Sequence, residues 1–246
     1  MNVIRIEQWG EQFRIVKFLG SGLSERKRAQ RQKEHDSDEF LTDSDKVERL
    51  SQSLSRSRSR VRELALCNDW EYFATFTLAE EKQNRFDLRG YVRDLGVWIG
   101  NYKKRYGASD FSYLIIPEQH KSGAWHAHGL LHGVSTESLI TNEHGFLDLP
   151  YYRKRFGYIS LSPIRDKNKC ASYVAKYITK DTAATAHALG SGYHTFYSSR
   201  GLQGRTVITQ GLLDDFQTDW QNDFVGITWT DDIERVKKIV YALHDV

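Results

Sequence analysis

The chain has 246 residues, 39% hydrophobic and 27% charged, enough apolar side chain to bury a substantial core and too much for a disordered or fibrous protein. The net charge of +3 is modest, and the only cysteines, Cys67 and Cys170, lie in unrelated contexts, which argues against a disulfide framework or a thiolate metal site and for a reducing, cytoplasmic setting. No apolar run reaches the length of a membrane span, and Met1-Asn2-Val3-Ile4-Arg5 lacks the apolar centre of an export signal, so no membrane partner is expected.

Charge distribution says more than its sum. Arg26-Lys27-Arg28, Arg56 through Arg62, Lys103-Lys104-Arg105 and Arg153-Lys154-Arg155 are basic clusters of the kind that track phosphates, although such runs are often plain solvated faces.

In chain order, residues 1–20 alternate weakly and predict one or two short strands, ended by Gly20-Ser21-Gly22. Ser24 to Asp45 is highly charged and reads as a surface linker. A helix is predicted from a cap at Ser44 or Asp45 through Val47, Leu50, Leu54, Val61 and Leu64. Its interleaved Arg56, Arg58 and Arg60 are candidate DNA contacts. Trp70 to Leu78 is aromatic and β-branched, hence a central strand. Arg85 to Tyr106 places Leu88, Tyr91, Leu95, Trp98 and Tyr102 at helical spacing, with Gly107 as its stop. A strand at Phe111–Ile116 follows. A short helix at Tyr151–Phe156, a strand at Tyr158–Leu161 and a helix at Ala171–Lys180 come next. Beyond it, glycines at 190, 192, 201 and 204 mark turns around a strand at Thr195–Tyr197, and Thr230 or Asp231 caps a last helix to Leu243.

This order predicts an α+β fold: a central antiparallel sheet of about five strands with helices packed on it. The expected organisation is an N-terminal extension at 1–43, a catalytic domain at 44–205 and a C-terminal extension at 206–246.

The chemistry concentrates at Glu118 to His132. In a strand, residues i and i+2 share a face, so His126 and His128 project together while Ala127 turns to the core. If the preceding strand pairs across a Lys121-Ser122-Gly123 turn, the Glu118 carboxylate closes on the same ion. Mixed nitrogen and oxygen donors suit Mg²⁺ or Mn²⁺. His132 has the character of a supporting or structural residue, and His120, in the turn, is not expected to be a ligand.

A second constellation lies in Tyr173-Val174-Ala175-Lys176-Tyr177-Ile178-Thr179-Lys180. Helical spacing puts Tyr173 and Tyr177 one turn apart on one face and Lys176 and Lys180 on a neighbouring one. A phenol ionises near pH 10 in water, so attack on a phosphodiester needs a cation beside it. Each feature alone has a bland rival, a chance His-x-His or a packing pair of tyrosines. Their conjunction is what points to a nuclease.

At these residues the chain resembles the HUH endonucleases, in particular the rolling-circle replication initiators (Rep proteins) of phages, plasmids and small single-stranded DNA viruses. Tyr72-Phe73-Ala74-Thr75-Phe76-Thr77-Leu78 is similar to the family's first motif, with Tyr72, Phe73 and Thr75 in a substrate-positioning role. His126-Ala127-His128 matches its second motif, with Glu118 as the extra acidic ligand. Tyr173 to Lys180 is similar to its third motif in the two-tyrosine form. The resemblance implies a ferredoxin-like or RNA-recognition-like sheet. It also implies metal-dependent nicking of single-stranded DNA at an origin, or an origin hairpin, through a 5′-phosphotyrosine link. Tyr177 is favoured as first nucleophile, Tyr173 as the second, and Lys176 and Lys180 as phosphate or phenolate contacts. Implied partners are a host helicase and DNA polymerase in a bacterial cytoplasm. The competing readings are a two-tyrosine transposase or relaxase of the same superfamily, a non-catalytic single-strand-binding module using its aromatics, and a zinc hydrolase, which lacks the usual helical His-x-x-x-His pair.

Overall fold

A computed structural model describes residues 3–19, 43–179, 193–212, 224–228 and 238–245. These fall into two compact units, one drawn from Met1–Lys46 and Gly204–Val246, the other from Val47–Gln203. The fold is α+β, and both units are built on antiparallel sheets.

In the first unit, β1 (Val3–Trp9) and β2 (Gln12–Leu19) form the expected hairpin, turning at Gly10. They lie inside a five-stranded sheet with β10 (Thr206–Leu212), β11 (Phe224–Thr228) and β12 (Lys238–Asp245). The two ends of the chain, separate in sequence, therefore share one sheet. Buried Glu7 accepts from Trp9 Nε1 at 2.8 Å and pairs with Arg5 at 2.7 Å and Arg205 at 3.2 Å. The C-terminal helix expected up to Leu243 is not formed: Lys238–Asp245 is a strand pairing with β2, Val240 opposite Lys17. Ile239, Val240 and Tyr241 are β-branched and aromatic, and a short apolar run of this kind fits a strand once a partner edge exists.

The second unit holds the site. Its helix α1 (Asp43–Cys67) and strand β3 (Tyr72–Thr77) are followed by α2 (Leu88–Tyr106). Asp87 caps the start of α2, its side chain accepting from Gly90 N, and Gly107 ends it in the left-handed conformation at φ 61°. Strands β4 (Ser112–Gln119) and β5 (Trp125–His132) form a hairpin closed at Lys121-Ser122-Gly123, where Gly123 takes φ 87°. After two-residue strands β6 (Ile140–Thr141) and β7 (Leu147–Asp148) come α3 (Pro150–Arg155), β8 (Ile159–Pro163), α4 (Lys167–Val174) and β9 (Tyr197–Ser198). The sheet has seven strands in the order β6-β7-β8-β3-β5-β4-β9. The count exceeds the expected five because of the two-residue strands at its edges. β3 is central, as its aromatic and β-branched composition predicted.

The two faces differ. One packs Ala74, Phe76, Ala127, Ile115 and Leu161 against Tyr91, Trp98 and Tyr102 of α2 and Tyr152 of α3. The other presents Phe73, Thr75 and Thr77 beside Leu130, His128 and His126, with Leu114, Ile116 and Glu118 next in register. Leu114, Ile116 and Leu130 are buried there, as are Val61 and Leu64 of α1 and Val174 of α4.

The tyrosine helix differs from the expected Ala171–Lys180. It starts at Lys167 behind an Asp166 cap, ends at Val174, and tightens into a 3₁₀ turn over Ala175–Tyr177. Lys180, most of the charged Ser24–Asp45 stretch, and the turn glycines at 20, 22, 190 and 192 lie outside the described residues.

Candidate metal centre and tyrosine pair

Antiparallel register builds the first half of the site. Glu118 stands directly opposite His126, and His128 two residues on shares its face. Glu118 Oε2 lies 2.9 Å from His126 Nε2 and 3.2 Å from His128 Nε2. The two Nε2 atoms are 3.1 Å apart. Ligand atoms about 2.1 Å from an ion and at right angles to one another lie about 3.0 Å apart, so the three converge at the spacing of neighbouring ligands. Glu118, His126 and His128 thus form a cluster able to hold a divalent metal ion.

The surrounding side chains favour that use. Thr75 Oγ1 is 3.3 Å from His128 Nδ1, so a proton held at Nδ1 leaves the Nε2 lone pair facing the cluster. His120 stacks on His126 with ring centroids 4.0 Å apart, and His126 Nδ1 is buried without a hydrogen-bond partner. Burial, then the neighbouring His126 and His120, hold the His128 imidazole down at about 4. Burial and His120 also lower His126, against the opposing pull of Glu118. Both rings are neutral near pH 7, the form that coordinates.

The tyrosines form the second half. The Tyr177 ring stacks on His128 with centroids 3.7 Å apart at 20°. Its hydroxyl donates to the Tyr173 hydroxyl at 2.7 Å. Phe73 fills the space between, 5.9 Å from His128, 5.4 Å from Tyr173 and 6.1 Å from Tyr177. Burial pushes the Tyr177 phenol well above its ordinary range, and the hydrogen bond to Tyr173 and the Glu118 charge add to the shift. The phenol therefore stays protonated unless positive charge is brought beside it. Lys176 Nζ stands 5.8 Å over the Tyr173 ring.

The remaining sequence candidates divide. Thr75 and Phe73 reach the site face. Tyr72 packs against the core on the opposite face and is not brought to the site. Arg56 is exposed on α1, Arg60 pairs with Glu63, and Arg58 Nε donates to the Ile178 carbonyl at 2.7 Å, tying α1 to the end of the tyrosine segment. His132 lies farther along β5 with Nδ1 4.0 Å from Glu71. Sequence reasoning missed the His120 stack. Its signal was in the hairpin: a turn over 121–123 puts residues 118 and 120 on one face, both beside 126. Arg58's carbonyl contact had no sequence signal, because its partner is 120 residues away.

The sheet thus presents a metal-binding cluster beside a pair of hydrogen-bonded phenols. Residues 71–182 match the replication-associated protein family of the ORF2 type. The matched stretch runs from β3 past the tyrosine segment and contains Glu118, His126, His128, Tyr173 and Tyr177. It supports a Rep-type replication initiator, a protein of DNA replication. No curated protein and no solved structure matches the chain significantly. Among the described residues, no helix is long and apolar enough to cross a membrane.

Proposed function

We propose that the protein initiates rolling-circle replication by nicking and rejoining single-stranded DNA at an origin through a 5′-phosphotyrosine link. The observation that carries this reading is the stacking of Tyr177 on His128, which sets a phenol against the Glu118, His126 and His128 cluster. A divalent ion, Mg²⁺ or Mn²⁺, held by these three residues would supply positive charge to the scissile phosphate and the phenol.

Tyr177 is the first nucleophile. Its oxygen attacks phosphorus, the bond to the 3′ oxygen breaks, and the released 3′ oxygen takes up a proton. The phenol's own proton passes first to Tyr173, whose hydroxyl already accepts it in a hydrogen bond. His128 orients the Tyr177 ring by stacking, Thr75 holds the His128 ring, and Lys176 and Lys180 offset phosphate charge. The freed 3′-OH primes synthesis by a host polymerase behind a host helicase. Tyr173 then cleaves the regenerated origin, and the new 3′-OH attacks the first phosphotyrosine, releasing Tyr177 and closing a circle. Phosphodiester and phosphotyrosine exchange without an outside energy source, so joining is the reverse of nicking.

The test is incubation with a labelled origin strand and Mn²⁺ followed by denaturing electrophoresis. A covalent adduct is expected, absent in the Tyr173→Phe, Tyr177→Phe double variant. An adduct that persists in the double variant, or none in the wild type with any origin-bearing strand, would refute the reading.

A further inference from the structure

A groove of about 680 Å³ opens on the side of Phe73 and Tyr173 and is lined by α1, the end of β8 and α4. Four of its lining side chains are cations, Arg62, Arg165, Lys169 and Lys176, against one carboxylate, Asp166. That carboxylate is already engaged: it caps α4, accepting from Lys169 N at 2.9 Å, and pairs with Lys169 Nζ at 3.1 Å. Among the described residues no ion pair involves Arg62, Arg165 or Lys176. Solvated faces usually intersperse both signs, whereas three such cations around one concavity create a positive potential that attracts anions.

The wall beside these cations is aromatic. Phe73 lines both the groove and the tyrosine site, and Tyr173, 47% exposed, stands at their junction. Cations that follow a backbone, next to ring faces that can meet bases, are the combination that binds a single strand. A duplex keeps its bases stacked inside and would leave the rings without a partner.

Resting on the nicking reading above, we infer that this groove holds the single-stranded DNA flanking the scissile phosphate. Arg62 and Arg165 contact backbone phosphates and the Phe73 and Tyr173 wall receives a base. The nicked strand then lies along α4 and reaches the Tyr177 site past Tyr173.

Cys170 lines the groove and Cys67 does not, which gives an internal reporter. The measurement is binding of fluorescent oligothymidine to the full-length protein in EDTA, where no nicking occurs, across a salt series. The Arg62→Gln, Arg165→Gln variant should bind about tenfold more weakly at low salt. Its slope of log affinity against log salt should fall by about 1.4, or ~0.7 for each phosphate that is no longer neutralised. In the wild type, bound strand should slow maleimide labelling of Cys170 and leave Cys67 unchanged. An unaltered slope, or Cys170 labelled equally fast with the strand bound, overturns the inference. If strand binding and Cys170 protection hold but no adduct forms with Mn²⁺ and an origin strand, the nicking chemistry fails and the groove stands. If adducts form while the variant binds like wild type, the groove fails and the chemistry stands.

Discussion

Tyr177 and His128 lie face to face, ring centroids 3.7 Å apart, although the residues come from a helix end and a strand 49 positions apart in sequence. The contact joins the two halves of the site: whatever orients His128 also orients the phenol.

Single substitutions should therefore separate the tyrosines. Tyr177→Phe is expected to reduce single-turnover adduct formation by on the order of 10²-fold or more, the scale of losing a positioned reacting group. Tyr173→Phe should leave a clear first adduct and lose the second cleavage. Equal loss in both, in a gel assay with Mn²⁺ and an origin strand, would contradict the assignment.

Thr75→Val keeps a β-branched residue in the strand and removes the hydroxyl at His128 Nδ1. Mn²⁺ affinity should fall about 10- to 100-fold with the fold intact. Calorimetric titration checks it, and affinity equal to wild type would remove Thr75 from the site.

The metal-free protein should lose stability on acidification through a defined window. His128 ionises at about 4 in the fold and near 6.5 in an unfolded chain. Between those values the unfolded state binds more protons, so stability falls as pH drops from about 6.5 and levels off below about 4. His126 shifts in the same direction and adds to the effect. Urea unfolding at pH 7 and pH 5 should show a smaller decrease for His128→Gln than for wild type. A His128 proton resonance titrating near 6.5 in EDTA would show the ring to be less desolvated than its packing implies.

Gly129 follows His128 on β5, and a Cβ there would lie 2.6 Å from the Leu114 carbonyl oxygen and 3.2 Å from Ile115 Cα. Both are backbone atoms of β4, so Gly129→Ala must push apart the strands that carry Glu118 and the histidines. A loss of roughly 1–3 kcal/mol is expected, the usual cost of overpacking, together with weaker Mn²⁺ binding. Denaturant unfolding and metal titration of the variant test the two effects. Unchanged stability would mean the hairpin has room that its geometry does not show.

Much of this site is legible in the amino-acid sequence. Alternation along β5 sets His126 and His128 on one face with Ala127 in the core, and a three-residue turn then delivers Glu118. The Arg85–Tyr106 helix, its Gly107 stop and the central β3 strand follow from local pattern. These features depend on period and turn chemistry, which act over a few residues. The end of the tyrosine helix is less legible, since its tightening into a 3₁₀ turn depends on what it packs against. Lys238–Asp245 reads as a helix in isolation and forms a strand in the fold, because its pattern needs β2 as a pairing edge to favour one form.

By itself, then, the sequence determined which side chains share a face: the two histidines with Glu118, and the tyrosine pair with its lysine. The tertiary structure alone decided which faces meet. It stacked Tyr177 on His128, placed Thr75 behind that ring and Tyr72 away from it, turned Arg58 to the Ile178 carbonyl, and gathered Arg62 and Arg165 around one groove. Local periodicity orients a side chain only relative to its own backbone. The distance between two elements depends on strand order and on how helices dock, and those are settled by burial across the whole sheet.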